Sequence, residues 1–429
     1  MMNHYLVDLV AAQQHGDARG LTSICSAHPW VLRAALQHAA PDQPLLIEST
    51  CNQVNQFGGY TGMTPADFAR AMHEHAALCR FPSERLILGG DHLGPSVWQH
   101  EPAASAMPKA CDLIRAYVAA GYEKIHLDAS MKLSDDPDGP LALEVSAQRA
   151  AQLAKAAEEA YANRSGGSSP YYVIGTEVPI PGGAQEFESS VAVTTVARAR
   201  ETLAVTQEAF RREGVEFAWE RVIALVVQPG VEFGDDFILD FQPDAARPLA
   251  RFLEGERLVY EAHSTDYQTR EALRQLVTGH FAILKVGPAL TFAFREAIFA
   301  LALLEDELFS ADQRSHLGDV LDDAMLRAPQ HWRQHYTGDE TAQRFARRYS
   351  YSDRSRYYWS DDRVQAALQK LLSNLKSRSL PLSLLSQYVP VQYACLRQGM
   401  LSNTPEALIL DHITDVLRDY TYAVTPGSN

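Results

Sequence analysis

The chain has 429 residues, of which 46% are hydrophobic, and carries a formal net charge of -15. That length can bury the core of a barrel of about 250 residues with additions, or of two domains. The acidic balance and the lack of a basic stripe exclude binding to a nucleic-acid backbone, and no apolar stretch approaches the roughly 20 residues that span a bilayer.

The amino-terminal residues lack a basic region followed by an apolar run, so no signal peptide is expected and the cytoplasm is the expected compartment. Five scattered cysteines without C-x-x-C spacing favour neither a disulfide framework nor a thiolate zinc site.

Along the chain, short apolar runs end repeatedly in Gly, His, Asp or Glu. A weak first run ends at Cys25-Ser26-Ala27-His28. Leu45–Ile47 leads to Glu48, Leu86–Leu88 to Gly89-Gly90-Asp91-His92, and Ile125-His126-Leu127 to Asp128. Tyr172–Ile174 leads to Gly175-Thr176-Glu177, Leu225–Val227 to Gln228-Pro229-Gly230-Val231-Glu232, Leu258–Tyr260 to Glu261-Ala262-His263, and Ile283–Val286 to Gly287. Helical patterns separate them: one capped by Thr64 with Pro65 in its first turn, then Pro102–Ala120, Leu143–Tyr161, Val193–Arg212 and one capped by Thr269. Polar chemistry at the carboxyl ends of buried strands predicts a (β/α)8 TIM barrel over residues 1–310, with its active face at those ends. Phe292–Leu308 reads as the helix closing the barrel. Residues 311–429 read as a helical C-terminal extension packed on it.

The strand ends supply the candidate chemistry. Asp91-His92 and His263 lie at the mouths of strands three and seven, where two imidazoles can converge on one ion. Glu177, Asp128 and Glu232 offer carboxylates, and Zn, Mn, Co or Ni accept that mixture. Glu232 reads equally as part of a polar turn. The loop with Asn52, Gln53, Asn55 and Gln56 is amide- and glycine-rich, suited either to sugar hydroxyls or to bonding itself; Gln228 and Asp266 are further substrate candidates. Loops after strands seven and eight often hold phosphate in this fold, which singles out Ser264, Thr265, Gly287 and Thr291; a plain helix-start turn is the other reading. The Arg347–Trp359 segment reads either as an aromatic seam or as a lid bearing Arg354 and Arg356 for an anion. No P-loop or dinucleotide fingerprint occurs, so no nucleotide cofactor is implied.

The stretches CNQVNQFGGYTGM (51–63), GGDHLGP (89–95), KIHLDAS (124–130), GTEVPIPGG (175–183), VVQPGVEF (226–233), EAHSTDYQT (261–269) and KVGPALT (285–291) resemble one family over nearly the whole chain. It is the Z-type subunit of D-tagatose-1,6-bisphosphate aldolase, of galactitol and N-acetylgalactosamine catabolism. The resemblance implies a protein that supports a separate catalytic Y subunit, with a phosphorylated ketose as substrate; a homo-oligomer is also compatible with it. Some relatives are instead tagatose-6-phosphate/fructose-6-phosphate 4-epimerases.

A more distant resemblance is to class II aldolases. Asp91-His92 and His263-Ser264 match two of their three metal-binding positions, while the third, near Gln228, lacks a His and leaves that ligand to Glu177 or Glu232. As an epimerase the chain would use retro-aldol and aldol chemistry. The metal would sit on His92, His263 and Glu177, with Asp91, or second Asp128, moving the O4 proton.

Overall fold

The computed structural model describes residues 5–40, 42–164, 166–176 and 191–427; Glu177 lies outside them. Eight strands form a closed, wholly parallel barrel: β1 Leu21–Cys25, β2 Leu45–Thr50, β3 Leu86–Leu93, β4 Lys124–Leu127, β5 Tyr171–Ile174, β6 Val222–Val227, β7 Val259–Ala262 and β8 Ile283–Val286. Each strand pairs with its neighbour in the chain, and β8 closes on β1 through Leu21↔Ile283 and Ser23↔Lys285. Helices cover the outer face, so the outward residues are buried too; parallel strands therefore read as continuous apolar runs. A two-residue antiparallel hairpin, Glu232–Phe233 with Ile238–Leu239, follows β6.

The helices are α1 Tyr5–Gln14, α2 Pro29–His38, α3 Pro65–Leu78, α4 Ala103–Ala119, α5 Leu143–Ala162, α6 Val196–Arg212, α7 Pro243–Phe252, α8 Arg270–Thr278 and α9 Pro288–Leu308. In the tail they are α10 Leu317–Arg327, α11 Glu340–Tyr349, α12 Asp362–Lys376, α13 Leu382–Tyr388, α14 Pro390–Arg397 and α15 Pro405–Val424. Thr64 makes a full capping box with Asp67 at the start of α3. Two boundaries differ from expectation. Thr195 caps α6, so that helix starts after Val193, and α9 starts at Pro288 rather than Phe292 because proline's fixed φ suits the first turn.

Inside the barrel, side chains fill layers set by the two-residue period of each strand. The bottom layer is apolar: Leu21, Leu46, Ile87, Val173, Val259 and Ile283 pack with Leu6, Leu9 and Val10 of α1, which covers that end. Above it, the inward positions turn polar, as in Leu46-Glu48-Thr50 on β2 and Lys124-His126-Asp128 on β4. At the seam, α15 packs along α2, α8 and α9, and the Val424 carbonyl accepts the Gly20 N–H at 3.0 Å.

Candidate active site

The floor of the site is a charged layer inside the barrel. Lys124 Nζ lies 2.6 Å from both Glu48 Oε1 and Glu261 Oε2, and all three side chains are wholly buried. Lys285 Nζ bonds Glu48 Oε2 and sits 2.8 Å from Asp91 Oδ1. Burial works against each charge, but mutual attraction outweighs it. Lys124 and Lys285 hold Glu48 below the usual carboxylate range and Glu261 well below it, and the surrounding carboxylates raise both lysines. Gly89 makes room for this layer: a Cβ there would lie 2.4 Å from Glu48 Oε1.

One layer higher, three imidazoles meet. The ring centres of His92, His126 and His263 form a triangle with sides of 5.0 to 5.3 Å. His126 Nδ1 bonds Asp91 Oδ1 at 3.0 Å, His92 Nδ1 bonds Asp128 Oδ2 at 2.9 Å, and His263 Nε2 bonds Glu261 Oε1 at 2.9 Å. His92 has φ 48° and Ser264 φ 52°, left-handed conformations that only strongly constraining surroundings maintain in non-glycine residues. Burial lowers His263 to about 4 despite its bond to Glu261, so it is neutral. Burial opposes the charge on His92, but Asp91 and Asp128 outweigh it and raise the group. Asp91 is held well below the carboxylate range, burial being overcome by His92, Lys285 and His126.

Asp91, His126, Glu261 and His263 each offer one ligand atom, all within 4.8 Å of one another. His126 Nε2 is buried without a hydrogen-bond partner. A neutral imidazole, an orphaned ring nitrogen and two ionised carboxylates are donors a divalent cation accepts. His126, which the sequence pattern marks only as part of an apolar run, brings a third imidazole into the cluster, whereas Gln228 lies outside it. Its signal was parity: it alternates with Lys124 and Asp128 on the inward face. Glu48, Glu261, Lys124 and Lys285 join the site in the same way, without a motif of their own.

The mouth opens into a cavity of about 490 Å³. Asn52 and Gln53 line it, whereas Asn55 and Gln56 secure their loop: Asn55 bonds Cys51 O, Phe57 N and Gly59 N, and Gln56 bonds Lys109 O. Asp91, His92 and His263 line it as well. Asp128 does not; its carboxylate receives His92 and the Ser130 hydroxyl. Gln228 Oε1 caps its own turn by accepting from Gly230 N and Val231 N, and Glu232 Oε1 accepts from Phe233 N. Neither residue reaches the cavity wall.

Among the phosphate candidates, Ser264, Gly287, Thr291 and Arg356 line the cavity, while Thr265 is buried beneath it against Lys285 O and Tyr420. Asp266 Oδ1 takes the N–H groups of Gly287 and Ala289, so the start of α9 already holds a carboxylate. Arg354 turns away to the His331 carbonyl. The Arg347–Trp359 segment is both seam and wall: Arg347 pairs with Asp322 outside the cavity, whereas Arg356, Tyr357 and Trp359 line it.

Comparison with known proteins agrees with this architecture. A family model described as D-tagatose-1,6-bisphosphate aldolase subunit GatZ/KbaZ-like matches residues 6–425. The crystal structure of a probable tagatose 6 phosphate kinase from Sinorhizobium meliloti 1021 is 45% identical, covering 94% of this chain and 100% of that one, with a TM-score of 0.86. Two others match far more weakly. A putative fructose-1,6-biphosphate aldolase from Coccidioides immitis is 15% identical over 87% of this chain and 96% of that one, with a TM-score of 0.38. A fructose-bisphosphate aldolase from Campylobacter jejuni is 11% identical over 88% and 93%, with a TM-score of 0.44. On the family match and the 45% identity, this chain belongs to the D-tagatose-1,6-bisphosphate aldolase subunit GatZ/KbaZ-like family.

Proposed function

We propose that this Z-type subunit binds a phosphorylated ketose at a divalent-metal centre in its own barrel mouth and supports a catalytic partner subunit in aldolase chemistry. The observation that carries this reading is His126 Nε2, buried and partnerless between two other imidazoles. The ion would be held by His126, His263 and Glu261, with Asp91 and His92 beside them. When bound it supplies a Lewis acid for the ketose carbonyl. The remaining work falls to the chain itself. Asn52 and Gln53 face sugar hydroxyls, Asp128 fixes the tautomer and orientation of His92, and Asp91 accepts the O4 proton. Lys285 and His126, both bonded to Asp91 Oδ1, keep that carboxylate ionised and ready.

A second reading has one feature in its favour: proton-transfer groups and metal donors are complete within one chain. That suits a D-tagatose-6-phosphate/D-fructose-6-phosphate 4-epimerase working by C3–C4 cleavage and re-addition. Metal analysis of the purified chain, with the same measurement on His126→Ala, tests the centre common to both. One ion per chain in the wild type is expected, with affinity in the variant falling by more than the ~10–100-fold of an outer-shell change. Equal metal content in the two proteins would refute it. NMR assay of tagatose 6-phosphate with and without the partner then separates the readings.

A further inference from the structure

The metal-donor cluster leaves the part of the cavity wall built by the C-terminal segment unexplained. There Arg356 has no carboxylate partner. Its Nη1 donates to the carbonyls of Ser352 and Asp353 and its Nη2 to the Tyr357 hydroxyl at 3.0 Å, which leaves Nε–H and one Nη2–H without a partner among the described residues. Trp359 lines the same cavity at 2% exposure, and its indole N–H is buried with no acceptor. The segment carrying both is rigidly held: Asp353 accepts from Arg295 at 3.1 Å, Asp235 accepts from Ser350 and Ser352, and the Tyr267 hydroxyl donates to Tyr351 O at 2.6 Å.

The rest of the cavity offers an anion little. Lys285 is committed to Glu48 and Asp91. The backbone N–H groups at the start of α9, where this fold often seats phosphate, already serve Asp266. Among the described residues, Arg356 is therefore the only Lys or Arg of the wall with no carboxylate within ion-pairing distance, Asp266 and Asp353 acting on it only from farther off, and residues 177–190 contain neither Lys nor Arg.

We infer that the cavity has a single anion subsite, on the wall built by the C-terminal segment, where the Arg356 guanidinium and the Trp359 indole N–H hold the phosphate of a ketose monophosphate. This deepens, and rests on, the reading of the site as one for phosphorylated ketoses. A bisphosphate would find, among the described residues, no second uncommitted Lys or Arg for its other phosphate, since Lys124 and Lys285 are paired with Glu48, Glu261 and Asp91.

Calorimetric titration of the purified full chain with fructose, fructose 6-phosphate, fructose 1,6-bisphosphate and inorganic phosphate tests this without turnover. Arg356→Gln should weaken fructose 6-phosphate and inorganic phosphate ~10–100-fold, the loss of a charge-assisted pair, and leave fructose unchanged. Trp359→Phe keeps an aromatic ring in the wall while removing the indole N–H with part of the bicycle, and should cost ~10-fold in phosphate affinity with fructose unchanged; it carries the test should Arg356→Gln fail to fold. Thr291→Val, at the α9 start, should leave the affinity for inorganic phosphate within about twofold of wild type, and a tenfold loss there would place the anion at α9 and overturn the inference. Wild-type phosphate binding in folded Arg356→Gln or in Trp359→Phe, or bisphosphate binding tenfold tighter than monophosphate, would overturn the inference. If Arg356→Gln loses phosphate binding while no ketose is converted, the subsite stands and the catalytic reading falls. If ketose is converted while the variant binds phosphate as the wild type does, the subsite falls and the catalytic reading stands.

Discussion

Lys124→Met would test how the barrel tolerates charge at its centre. Lys124 is shared by two fully buried carboxylates at 2.6 Å each. Methionine matches its length but strands them. Glu48 keeps Lys285, whereas Glu261 keeps only Lys285 at 3.8 Å and the bond from His263. Removing one partner of a buried pair typically costs ~3–5 kcal/mol, and two partners sharing one ammonium place this case near ~4 kcal/mol. With an unfolding entropy of about 2.1 cal/mol/K per residue, a chain of this size unfolding as one unit would lose roughly 4 °C in Tm. The assay is scanning calorimetry in chelator at pH 7.5, with Lys124→Met/Glu261→Gln as partner variant. The double variant removes the stranded carboxylate and should recover at least half the loss. The single variant should also recover in part at pH 5, where a stranded carboxylate can take up a proton. A single variant within 1 °C (~1 kcal/mol) of wild type, or a double variant less stable than the single, would show that the ion pairs do not stabilise the barrel as argued.

Three further outcomes are expected. Burial raises Asp266 to about 6 from its ordinary 3.8, with Arg356 the charge acting to lower it. The folded state thus keeps a proton that the unfolded chain releases above pH 4, and stability falls through pH 4–6 by up to ~3 kcal/mol. Asp266→Asn escapes this, so its Tm advantage should open between pH 4 and 7 in thermal melts; a pH-independent difference would contradict it. Asp128→Asn removes the hydrogen bond and charge that raise His92, so the His92 imidazole should titrate lower in an NMR pH titration, and an unchanged titration would remove that role of Asp128. In Gly94→Ala, a Cβ would lie 1.7 Å from the Asp128 carbonyl oxygen; thermal melts should show a loss of ~3 kcal/mol or more, and a loss under ~1 kcal/mol would contradict it.

The barrel was legible because parallel strands buried on both faces leave apolar runs, and caps such as Thr64-Pro65 mark helix starts through local hydrogen bonding alone. Asp91, His92 and His263 were legible too, as polar residues at the ends of those runs. His126 was not: it interrupts an apolar run, and only strict alternation with Lys124 and Asp128 turns it inward. Asn55 and Asn52 look alike as residues, yet one ties its loop together and the other faces the cavity, a difference set by where the loop folds back. At Asp266, an acid near a helix start read as a substrate contact, whereas the closed barrel brings it onto the N–H groups of a helix more than 20 residues away.

Strand period, helix caps and the acidic composition follow from neighbours in the chain, and they established the architecture and which face carries polar chemistry. The meeting of His92, His126 and His263, the lysines threaded between buried acids, and Arg356 in the cavity wall depend on closing eight strands in register and folding the tail across their mouth. Side chains from six or more distant segments come within bonding distance only then, because alternation says which way a residue points and not what it will face.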